Sequence, residues 1–409
     1  MNFNLAFHAF VIAVTLIGVA IGRYPKLRMN RATIALVGAV VLVLTGALSL
    51  DQAFSAIDMN TIVLLLAMMI INANLRMSGF FGIIADKVVQ ISRTQNDLLI
   101  IIIFTSGILS ALFLNDTIVL MFTPLLLEIT RRGDINPIPF LIALATSANI
   151  GSAATIIGNP QNMLIGISSG IDFRTFAFYL TPISIIGLMV ALIVIKIIYR
   201  KSIRSNKINF LKHKPAKPYK PLLYKSIIAS VLMLIALNIG MSITLAAIGG
   251  ASLLLITRRL KPERVFREID WTLLVFFASL FIVTHSIETT GLSDKIFNSN
   301  VVWITKDLWR FSGSAMLLSN LVSNVPAVLL FKPIIKMMNN PQIAWLVLSM
   351  ATTFAGNLTL IGSVANLIVA ESAKKEGVKL SFKEYLKAGI PITIATVILG
   401  VIWFLIISG

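Results

Sequence analysis

Long apolar runs recur along this chain and restrict its fold more than any other feature. Runs of about 17 to 23 residues are long enough to cross the roughly 30 Å hydrocarbon layer of a membrane as helices. The chain has 409 residues, of which 57% are hydrophobic and only 13% are charged. We therefore predict an all-α polytopic membrane protein without a separate soluble domain. The first run, at 5–22, lacks a basic segment before it, so we interpret it as a retained span rather than a signal peptide.

Basic residues fall mostly between the apolar runs and predict how the spans are oriented. The 35 Lys and Arg outnumber the 17 Asp and Glu, which gives a net charge of +18. Basic clusters lie at 23–31, 200–225, 258–267 and 374–387. The positive-inside bias places all four clusters on the cytoplasmic side of the cell (inner) membrane. Since topology accounts for the charge, we expect no nucleic-acid partner, and a sequence without cysteine has no disulfide or thiolate metal site.

About ten spans and two helical hairpins are needed to bring every basic cluster to that side. The segment 97–131 has basic residues at both ends, so it would leave the cytoplasmic side and return to it, with its tip near Asn115. A second hairpin near 306–338 would start from the opposite side, with its tip near Asn324. The predicted spans are roughly 4–22, 32–49, 60–75, 137–166, 176–198, 226–240, 242–257, 271–287, 341–370 and 388–407.

The two halves of the chain are an internal duplication. The sequence FSAID at 54–58 recurs as FREID at 266–270, and TIIGNPQN at 155–162 aligns with TLIGSVAN at 359–366. Five spans in each half would insert the second copy upside down. Inverted repeats with paired interrupted spans are typical of secondary transporters, whose site lies near the midplane where the breaks meet. The predicted parts are a first repeat with the N-terminal span at 1–198, a basic cytoplasmic linker at 199–225 and a second repeat at 226–409.

Polar residues interrupt the apolar run at the first hairpin tip, within SALFLNDTIVLMFTP. A carboxylate at membrane depth costs roughly 2.5 to 3.5 kcal/mol or more, so it is functional by default. We predict that Asp116 carries a coupling proton and that Asn115 and Thr117 contact the substrate or ion. Two alternatives stay open: an Asp solvated near the aqueous face, and an Asp that only caps the return helix.

The stretch SANIGSAATIIGNPQN at 147–162 contains residues that break helices. Gly158 and Pro160 would unwind the span, so that freed backbone carbonyls and the Asn159 and Asn162 amides could bind a cation or a polar solute. The half-helix after the break would direct its positive end at an anion or a polarised oxygen. A simple proline kink is the alternative, but the recurrence of the break favours a site. The predicted binding residues of both halves are Asn115, Thr117, Asn149, Thr155, Gly158, Asn159, Asn162, Asn320, Asn324, Asn357, Thr359, Gly362 and Asn366.

The second hairpin tip, within SNLVSNVPAVLLFKP, keeps the asparagine but has no acid. Asn324 is followed by Val325 where the first tip has Asp116. One titratable carboxylate in two tips fits coupling to a single proton, while a cation held by neutral oxygens remains an alternative. The sequence contains no Walker loop, catalytic triad or zinc motif, so we expect neither an enzyme with catalytic residues nor a cofactor or metal site.

Several segments together resemble a known family: LNDTIVLMFTP, SANIGSAATIIGNPQN, DWTLLVFFASLFIV, SNVPAVLL and GNLTLIGSVANLIVA. They are similar to the ArsB/NhaD branch of the ion-transporter superfamily, which includes divalent-anion and citrate carriers, and most of all to its YbiR-like anion transporters and arsenite permeases. The resemblance extends from about residue 30 to 400. It implies opposed re-entrant hairpins whose tips meet broken helices, and elevator-type motion of a transport domain against a scaffold that forms a homodimer. In the arsenite permeases, proton influx drives the export of arsenite or antimonite. Their Asn-Asp pair at the hairpin tip corresponds to Asn115 and Asp116, whereas the sodium-coupled carboxylate carriers have Ser-Asn-Thr at each tip.

The leading functional prediction is therefore a secondary active transporter that couples proton movement to efflux of arsenite or antimonite. These solutes are neutral trihydroxides at neutral pH, so they need amides, hydroxyls and backbone groups rather than an arginine clamp. The alternatives are a sodium- or proton-coupled transporter of an inorganic or carboxylate anion, a sodium/proton antiporter, and a channel-like partner of a cytosolic ATPase that docks on the 200–225 linker. The predicted partners are thus a small inorganic solute, a coupling proton or sodium ion, and the lipid bilayer.

Overall fold

The computed structural model describes residues 3–22, 28–203, 217–256, 260–292 and 300–408, and within these ranges every regular element is a helix. Arg23, Lys26, Arg258 and Arg259 of the basic clusters and residues 204–216 of the linker lie outside the described residues. The helices of the first half are α1 (Phe3–Ile21), α2 (Arg31–Leu44), α3 (Leu50–Ala56), α4 (Met59–Ser78), α5 (Phe80–Ile91), α6 (Gln95–Leu112), α7 (Asn115–Arg132), α8 (Ile138–Ser152), α9 (Pro160–Ser169) and α10 (Phe173–Ile198). Those of the second half are α11 (Lys220–Asn238), α12 (Ile243–Leu255), α13 (Pro262–Phe266), α14 (Trp271–Thr289), α15 (Asn300–Thr305), α16 (Leu308–Val322), α17 (Asn324–Ile335), α18 (Pro341–Ala355), α19 (Val364–Lys375) and α20 (Phe382–Ser408).

Seven helices among the described residues are long and apolar enough to cross a membrane, namely α1, α4, α6, α10, α11, α14 and α20. Five further apolar helices among the described residues are shorter, namely α2, α8, α12, α17 and α18. The prediction of an all-α polytopic membrane protein is confirmed. Two predicted spans are shorter than expected, since α2 ends at Leu44 and α12 at Leu255. Gly46, which follows α2 closely, has a positive φ of 76°, a backbone conformation that does not continue a right-handed helix.

Both predicted hairpins and both predicted broken spans are present. Helices α6 and α7 form the first hairpin, and α16 and α17 form the second, which turns at Ser323 with a φ of 79°. The first broken span consists of α8 and α9, and the second consists of α18 and α19. The irregular segments between these half-helices are the residues 153–159 and 356–363, so the octets that suggested the duplication lie at the breaks.

Helices α4 and α14 are the corresponding helices of the two repeats, and they run in opposite directions. Arg76, in the last turn of α4, forms an ion pair with Glu268, which lies just before α14. At the far end of α14, the Thr289 hydroxyl donates to the carbonyl of Ala47, which lies before α3 and α4, at 3.4 Å. The beginning of each helix therefore lies at the end of the other, as an inverted repeat requires.

The broken helices lie at the centre of the molecule, and every residue of α8 after Ile138 is buried. Helices α6 and α8 approach closely because both have glycine at their contact: a Cβ added to Gly151 would lie 2.1 Å from the Gly107 carbonyl oxygen. Outer helices have exposed apolar side chains, among them Phe10, Phe178 and Ile406, as expected of surfaces in contact with lipid. The fold thus buries the first half-helices of its interrupted spans, α8 and α18, and surrounds them with apolar spans.

Candidate substrate site

Each break is held by the asparagine that ends its octet. Asn162 Nδ2 donates to the carbonyls of Ser152 and Thr155, each at 3.1 Å. Asn366 Nδ2 donates to the carbonyls of Gly356 at 2.7 Å and Thr359 at 3.1 Å. The acceptors lie ten and seven residues before the asparagine in both halves, and both asparagines are fully buried. The side-chain amide thus satisfies carbonyls that lost their helical partners at the break, which a buried backbone requires.

A buried amide network joins the two broken helices. Asn149 Nδ2, on α8, donates to Asn357 Oδ1 at 2.9 Å and to Asn366 Oδ1 at 3.0 Å. In the opposite direction, the hydroxyls of Ser349 and Thr353 on α18 donate to Asn162 Oδ1 at 2.8 and 3.3 Å. The two halves therefore bond to each other through side chains that also close the breaks.

Asn159 belongs to the same network. Its Nδ2 donates to the Ser152 hydroxyl at 2.8 Å, and its Oδ1 accepts from the Asn162 backbone N–H, also at 2.8 Å, as the N-cap of α9. Asn357 Nδ2 donates across to the carbonyl of Thr146 at 3.3 Å. The predicted asparagines of the broken helices are thus all hydrogen-bonded within the protein.

The first hairpin tip docks on the first break. The Asn115 backbone N–H donates to the Gly158 carbonyl at 3.1 Å, and the Thr155 hydroxyl donates to the Ala111 carbonyl. Asn115 Nδ2 also donates to Asn149 Oδ1 at 3.1 Å, which ties the tip to the central network. Gly158 is required by close approach, because a Cβ there would lie 2.3 Å from the Ser152 carbonyl oxygen.

The second hairpin tip docks on the second break by different contacts. Asn320 Nδ2 donates to the Ala355 carbonyl, and Asn320 Oδ1 accepts from the Thr359 hydroxyl at 2.8 Å. Asn324 Oδ1 accepts from the Ser319 hydroxyl at 2.7 Å, within its own hairpin. Gly362 packs against Asn320, whose Oδ1 would lie 3.0 Å from a Cβ added to Gly362. Thr155, Gly158, Asn320, Thr359 and Gly362 thus bind the hairpins to the breaks.

A cavity of about 660 Å³ lies where the two tips and the two breaks meet. Three of the predicted site residues line it, namely Asn115, Asp116 and Asn324. Asp116 is half-buried and makes no capping bond, because the N-cap position of α7 is Leu114, without a side-chain cap. Thr117 is half-buried in the first turn of α7 and is not among the described residues that line the cavity. The buried asparagines lie behind the cavity and support its wall.

Other polar residues that line the cavity were not predicted from the sequence. They are Asn30, Arg31, Gln161, Asp270, Thr272, Ser323, Ser363 and Glu371. Gln161 lies inside the first octet, and Asp270 ends the FREID repeat, so both had a signal in the sequence. Arg31 and Glu371 come from helices far apart in the chain, and only the tertiary fold brings them together.

The electrostatics of the cavity favour oxygen atoms of the solute. Six helices begin at the cavity, and each N-terminus has a partial positive charge because its first N–H groups have no carbonyl partner within the helix. Three carboxylates, those of Asp116, Asp270 and Glu371, offset this charge, with Arg31 as the one basic residue among the lining side chains that the structure describes. These six helices are α2, α7, α9, α14, α17 and α19. The described residues include no group of three or more His, Asp or Glu placed to hold a metal ion.

Opposed hairpins, paired broken helices and a polar cavity between them define a multi-pass membrane transporter built from inverted repeats. Residues 11–355 match the citrate transporter family, CitMHS. The chain belongs to this family, which agrees with the resemblance to the ArsB/NhaD superfamily.

Relatives match over nearly the whole chain. A 46 kDa membrane protein of Mycobacterium leprae is 30% identical, with 96% of this chain and 97% of the relative covered. The silicon efflux transporter LSI3 of Oryza sativa subsp. japonica is also 30% identical, with 92% and 93% covered. The putative transporter arsB of Dictyostelium discoideum is 25% identical, with 92% and 87% covered. The crystal structure of the YdaH transporter of Alcanivorax borkumensis, described as having an unusual topology, aligns with a TM-score of 0.62 at 12% identity, covering 100% of this chain and 98% of that one.

Proposed function

We propose that this protein is a secondary transporter that exports a small neutral metalloid hydroxide, with arsenite and antimonite as its first candidate substrates, in exchange for protons. The observation that carries the proposal is the position of Asp116. It is a carboxylate without a capping role, at a hairpin tip, in a cavity whose other lining groups include the neutral side chains of Asn115, Gln161, Asn324 and Ser363. Amides and hydroxyls both donate and accept hydrogen bonds, as a hydroxyl-rich solute does.

The charge of the cavity also supports a neutral solute over a multivalent anion. Three lining carboxylates face one lining arginine, and like charges repel at short range in a site of low dielectric constant. A citrate-like tricarboxylate, which the name of the family suggests, would have to overcome that repulsion. Two relatives add support, since one is named as a silicon efflux transporter and another as a putative transporter arsB. Silicon, arsenic and antimony all form neutral hydroxides in water at neutral pH.

Transport of an inorganic or carboxylate anion is the second candidate, because six helix N-termini converge on the cavity. A sodium/proton antiporter is the third, with the cavity carboxylates as cation ligands. Both alternatives use the same residues, so the nature of the solute distinguishes them.

The proposal also includes an orientation and an assembly. The positive-inside bias assigns the basic loops to the cytoplasmic side of the cell (inner) membrane. Arg31 and Glu371, which line the cavity, lie next to two of the basic clusters, so we propose that the cavity opens to the cytoplasm in the conformation described here. The apolar outer faces suit a homodimer in the bilayer, and the basic linker is where a cytosolic ATPase would dock if one associates.

The experiment is a substrate panel with purified protein in proteoliposomes. Proton flux is followed with an enclosed pH-sensitive dye after addition of arsenite, antimonite, silicic acid, sulfate, citrate or sodium. We expect proton flux that depends on one or more of the neutral hydroxides and is small with sulfate, citrate or sodium alone. Flux driven by citrate or sulfate would establish the anion alternative, and flux driven by sodium alone would establish the antiporter. Protein-free liposomes serve as the control for leakage of the neutral solutes.

A further inference from the structure

The repeated FSAID and FREID segments end in two equivalent carboxylates, Asp58 and Asp270. Asp58 Oδ1 accepts from the Thr61 backbone N–H at 3.2 Å and caps α4. Asp270 Oδ1 accepts from the Leu273 backbone N–H at 3.0 Å and caps α14. Each cap uses one carboxylate oxygen, and neither aspartate forms an ion pair with any residue that the structure describes. Each aspartate therefore keeps a second oxygen that can bind a proton.

These two carboxylates lie at opposite ends of the antiparallel pair α4 and α14. The Arg76–Glu268 ion pair places Asp270 beside the end of α4, whereas Asp58 lies at the beginning of that helix. Helix α4 has 20 residues, so the two aspartates are separated by about 30 Å at 1.5 Å per residue. That distance is the thickness of the hydrocarbon layer, which places one aspartate near each face of the membrane.

Asp270 is the one of the two that lines the cavity, together with Asp116. The charged groups that line the cavity with it come from three helices: Arg31 from α2, Asp116 from α7 and Glu371 from α19. Glu268, just before it, is held by Arg76. Asp270 is exposed whereas Asp116 is half-buried, so Asp270 is the more accessible of the two to water.

The packing of the second hairpin brings its tip to the cavity that Asp270 lines. Helix α17 lies along α14 in the same direction: its first residues and the first turn of α14 line the large cavity. Further along, Lys332 and Pro333 of α17 share a smaller cavity, of about 270 Å³, with His285 and Glu288 near the end of α14. The second tip therefore lies level with the first two turns of α14, whose Thr272, Leu273 and Phe276 line the large cavity with it. The inverted repeat allows the mirrored arrangement, in which α7 lies along α4 and the first tip, with Asp116, is level with the first two turns of α4, next to Asp58.

We propose that Asp270 and Asp58 are the proton-transfer residues of this transporter, one for each side of the membrane. The inference rests on the proposed coupling of transport to a proton on Asp116. In the conformation described here, the proton leaves the Asp116 carboxyl, directly or through a water molecule, and the Asp270 carboxylate takes it before releasing it to water. In the opposite conformation, Asp58 takes a proton from water and passes it to the Asp116 carboxylate. Each transfer neutralises one carboxylate and ionises the other, so charge is conserved.

The capping role of these residues makes a clean test possible. Asparagine caps helices as well as aspartate does but does not titrate at neutral pH, so Asp270→Asn and Asp58→Asn remove the proton site and keep the cap. Asp270→Ser is a second variant that preserves the cap. Asp172→Asn is the matched control, because Asp172 caps α10 and is not among the residues that line the cavity. The measurement is the initial rate of substrate-dependent proton flux in membrane vesicles of both orientations, with the pH varied on one side at a time.

We expect Asp270→Asn to slow the flux by about tenfold or more, as loss of a positioned proton-transfer group does, and to remove its dependence on cytoplasmic pH. Asp58→Asn should likewise slow the flux and remove its dependence on the pH of the opposite side. Asp270→Glu should restore much of the rate, and Asp172→Asn should leave both profiles unchanged. A purely structural role would not distinguish the two sides.

This inference would be overturned if the folded variants Asp270→Asn, Asp270→Ser and Asp58→Asn had the rates and pH profiles of the wild type. If Asp116→Asn still lost coupling in the same experiment, the proposed function would remain intact. Absence of substrate-dependent proton flux in the wild-type protein would instead refute the proposed function, and this inference with it. Folding is checked by size-exclusion elution and melting temperature.

Discussion

The two hairpin tips share a fold but differ in their chemistry. Each tip begins a helix at an asparagine and docks on the broken helix of its own half. Asn115 reaches out of its hairpin to Asn149 in the central network, whereas Asn324 bonds to Ser319 inside its own hairpin. Next to these asparagines stand Asp116 in the first tip and Val325 in the second. The comparison teaches that duplication preserved the docking of each tip on its own break, though through different contacts, while the titratable group at the tip is confined to one copy.

The strongest test of this difference between the tips is to remove the carboxylate from the first tip. Asp116→Asn keeps the size of the side chain but cannot take up a proton, so proton-coupled flux should fall by about 100-fold or more. The purified variant should elute and melt like the wild type, since Asp116 makes no capping bond. The measurement is substrate-dependent proton flux in proteoliposomes. Undiminished coupling would show that the proton is bound elsewhere and that the asymmetry of the tips has no role in coupling.

Asn162 and Asn366, which close the two breaks with their side-chain amides, provide the next comparison, because here the two halves are alike. Asn162→Ala and Asn366→Ala each remove two donors to buried carbonyls, so each should cost about 2 to 5 kcal/mol of stability. Both should lower the melting temperature in detergent and weaken substrate binding. Asn238→Ala is the control, since Asn238 donates to the Leu234 carbonyl at 2.8 Å at an exposed position. If either variant has the same melting temperature as the Asn238→Ala control, that asparagine does not stabilise its break.

The two octet glycines should differ in their tolerance of a methyl group. A Cβ at Gly158 meets the Ser152 carbonyl oxygen at 2.3 Å, and backbone cannot yield easily, so Gly158→Ala should cost about 1 to 3 kcal/mol. At Gly362 the nearest atoms to a new Cβ are Asn320 Oδ1 at 3.0 Å and two backbone carbonyl oxygens at 3.1 and 3.2 Å. Because a shift of a few tenths of an ångström relieves these contacts, Gly362→Ala should cost less. Gly249→Ala, which has no atom within 4 Å of the new Cβ, is the control for melting temperature. An equal loss of stability in Gly158→Ala and Gly362→Ala would mean that the second break is as tightly packed as the first.

The smallest effect is expected at Asp172, a carboxylate that caps a helix, unlike Asp116. Hydrogen bonds from the side chain and backbone of Thr175 lower the pKa of Asp172, opposed by partial burial and helped by Arg174. Asp172→Ala should cost about 1 kcal/mol, as loss of an N-cap usually does. Because the folded pKa is below the unfolded one, this contribution is present above the unfolded pKa and disappears as the pH falls through the folded pKa. The melting temperatures of the wild type and Asp172→Ala should therefore converge at acid pH. A difference that stays constant with pH would contradict the role of the Asp172 charge.

Much of the fold could be predicted because breaks, hairpins and charges leave local signals. Gly158 and Pro160 indicate the first break, and the polar tip at Asn115 indicates a hairpin. Helix α5 (Phe80–Ile91) lies between two predicted segments and was not predicted, because it has no long apolar run. The predicted division into 1–198, 199–225 and 226–409 stays a prediction.

The site was predicted only in part, since its contacts join residues about 200 positions apart. The octet asparagines were predicted as ligands of a solute, yet they bond to the protein itself. That Ser349 would donate to Asn162, or Asn149 to Asn357, depends on how the two halves pack. Asp270 had a signal as the end of FREID, but its position at the first hairpin tip requires the inverted packing. The roles of the predicted residues in binding remain predictions.

The cross-bonding of the breaks has a consequence for how a solute can be released. Asn162 and Asn366 each clamp a break within one half and accept hydrogen bonds from the other half. Rewinding either broken helix would leave two buried carbonyls without their side-chain donor and break a hydrogen bond between the halves, so we expect the pair of broken helices to move as one rigid body. We therefore expect the solute to leave when this body slides or when a hairpin tip moves away from it, with the shape of the interrupted helices unchanged.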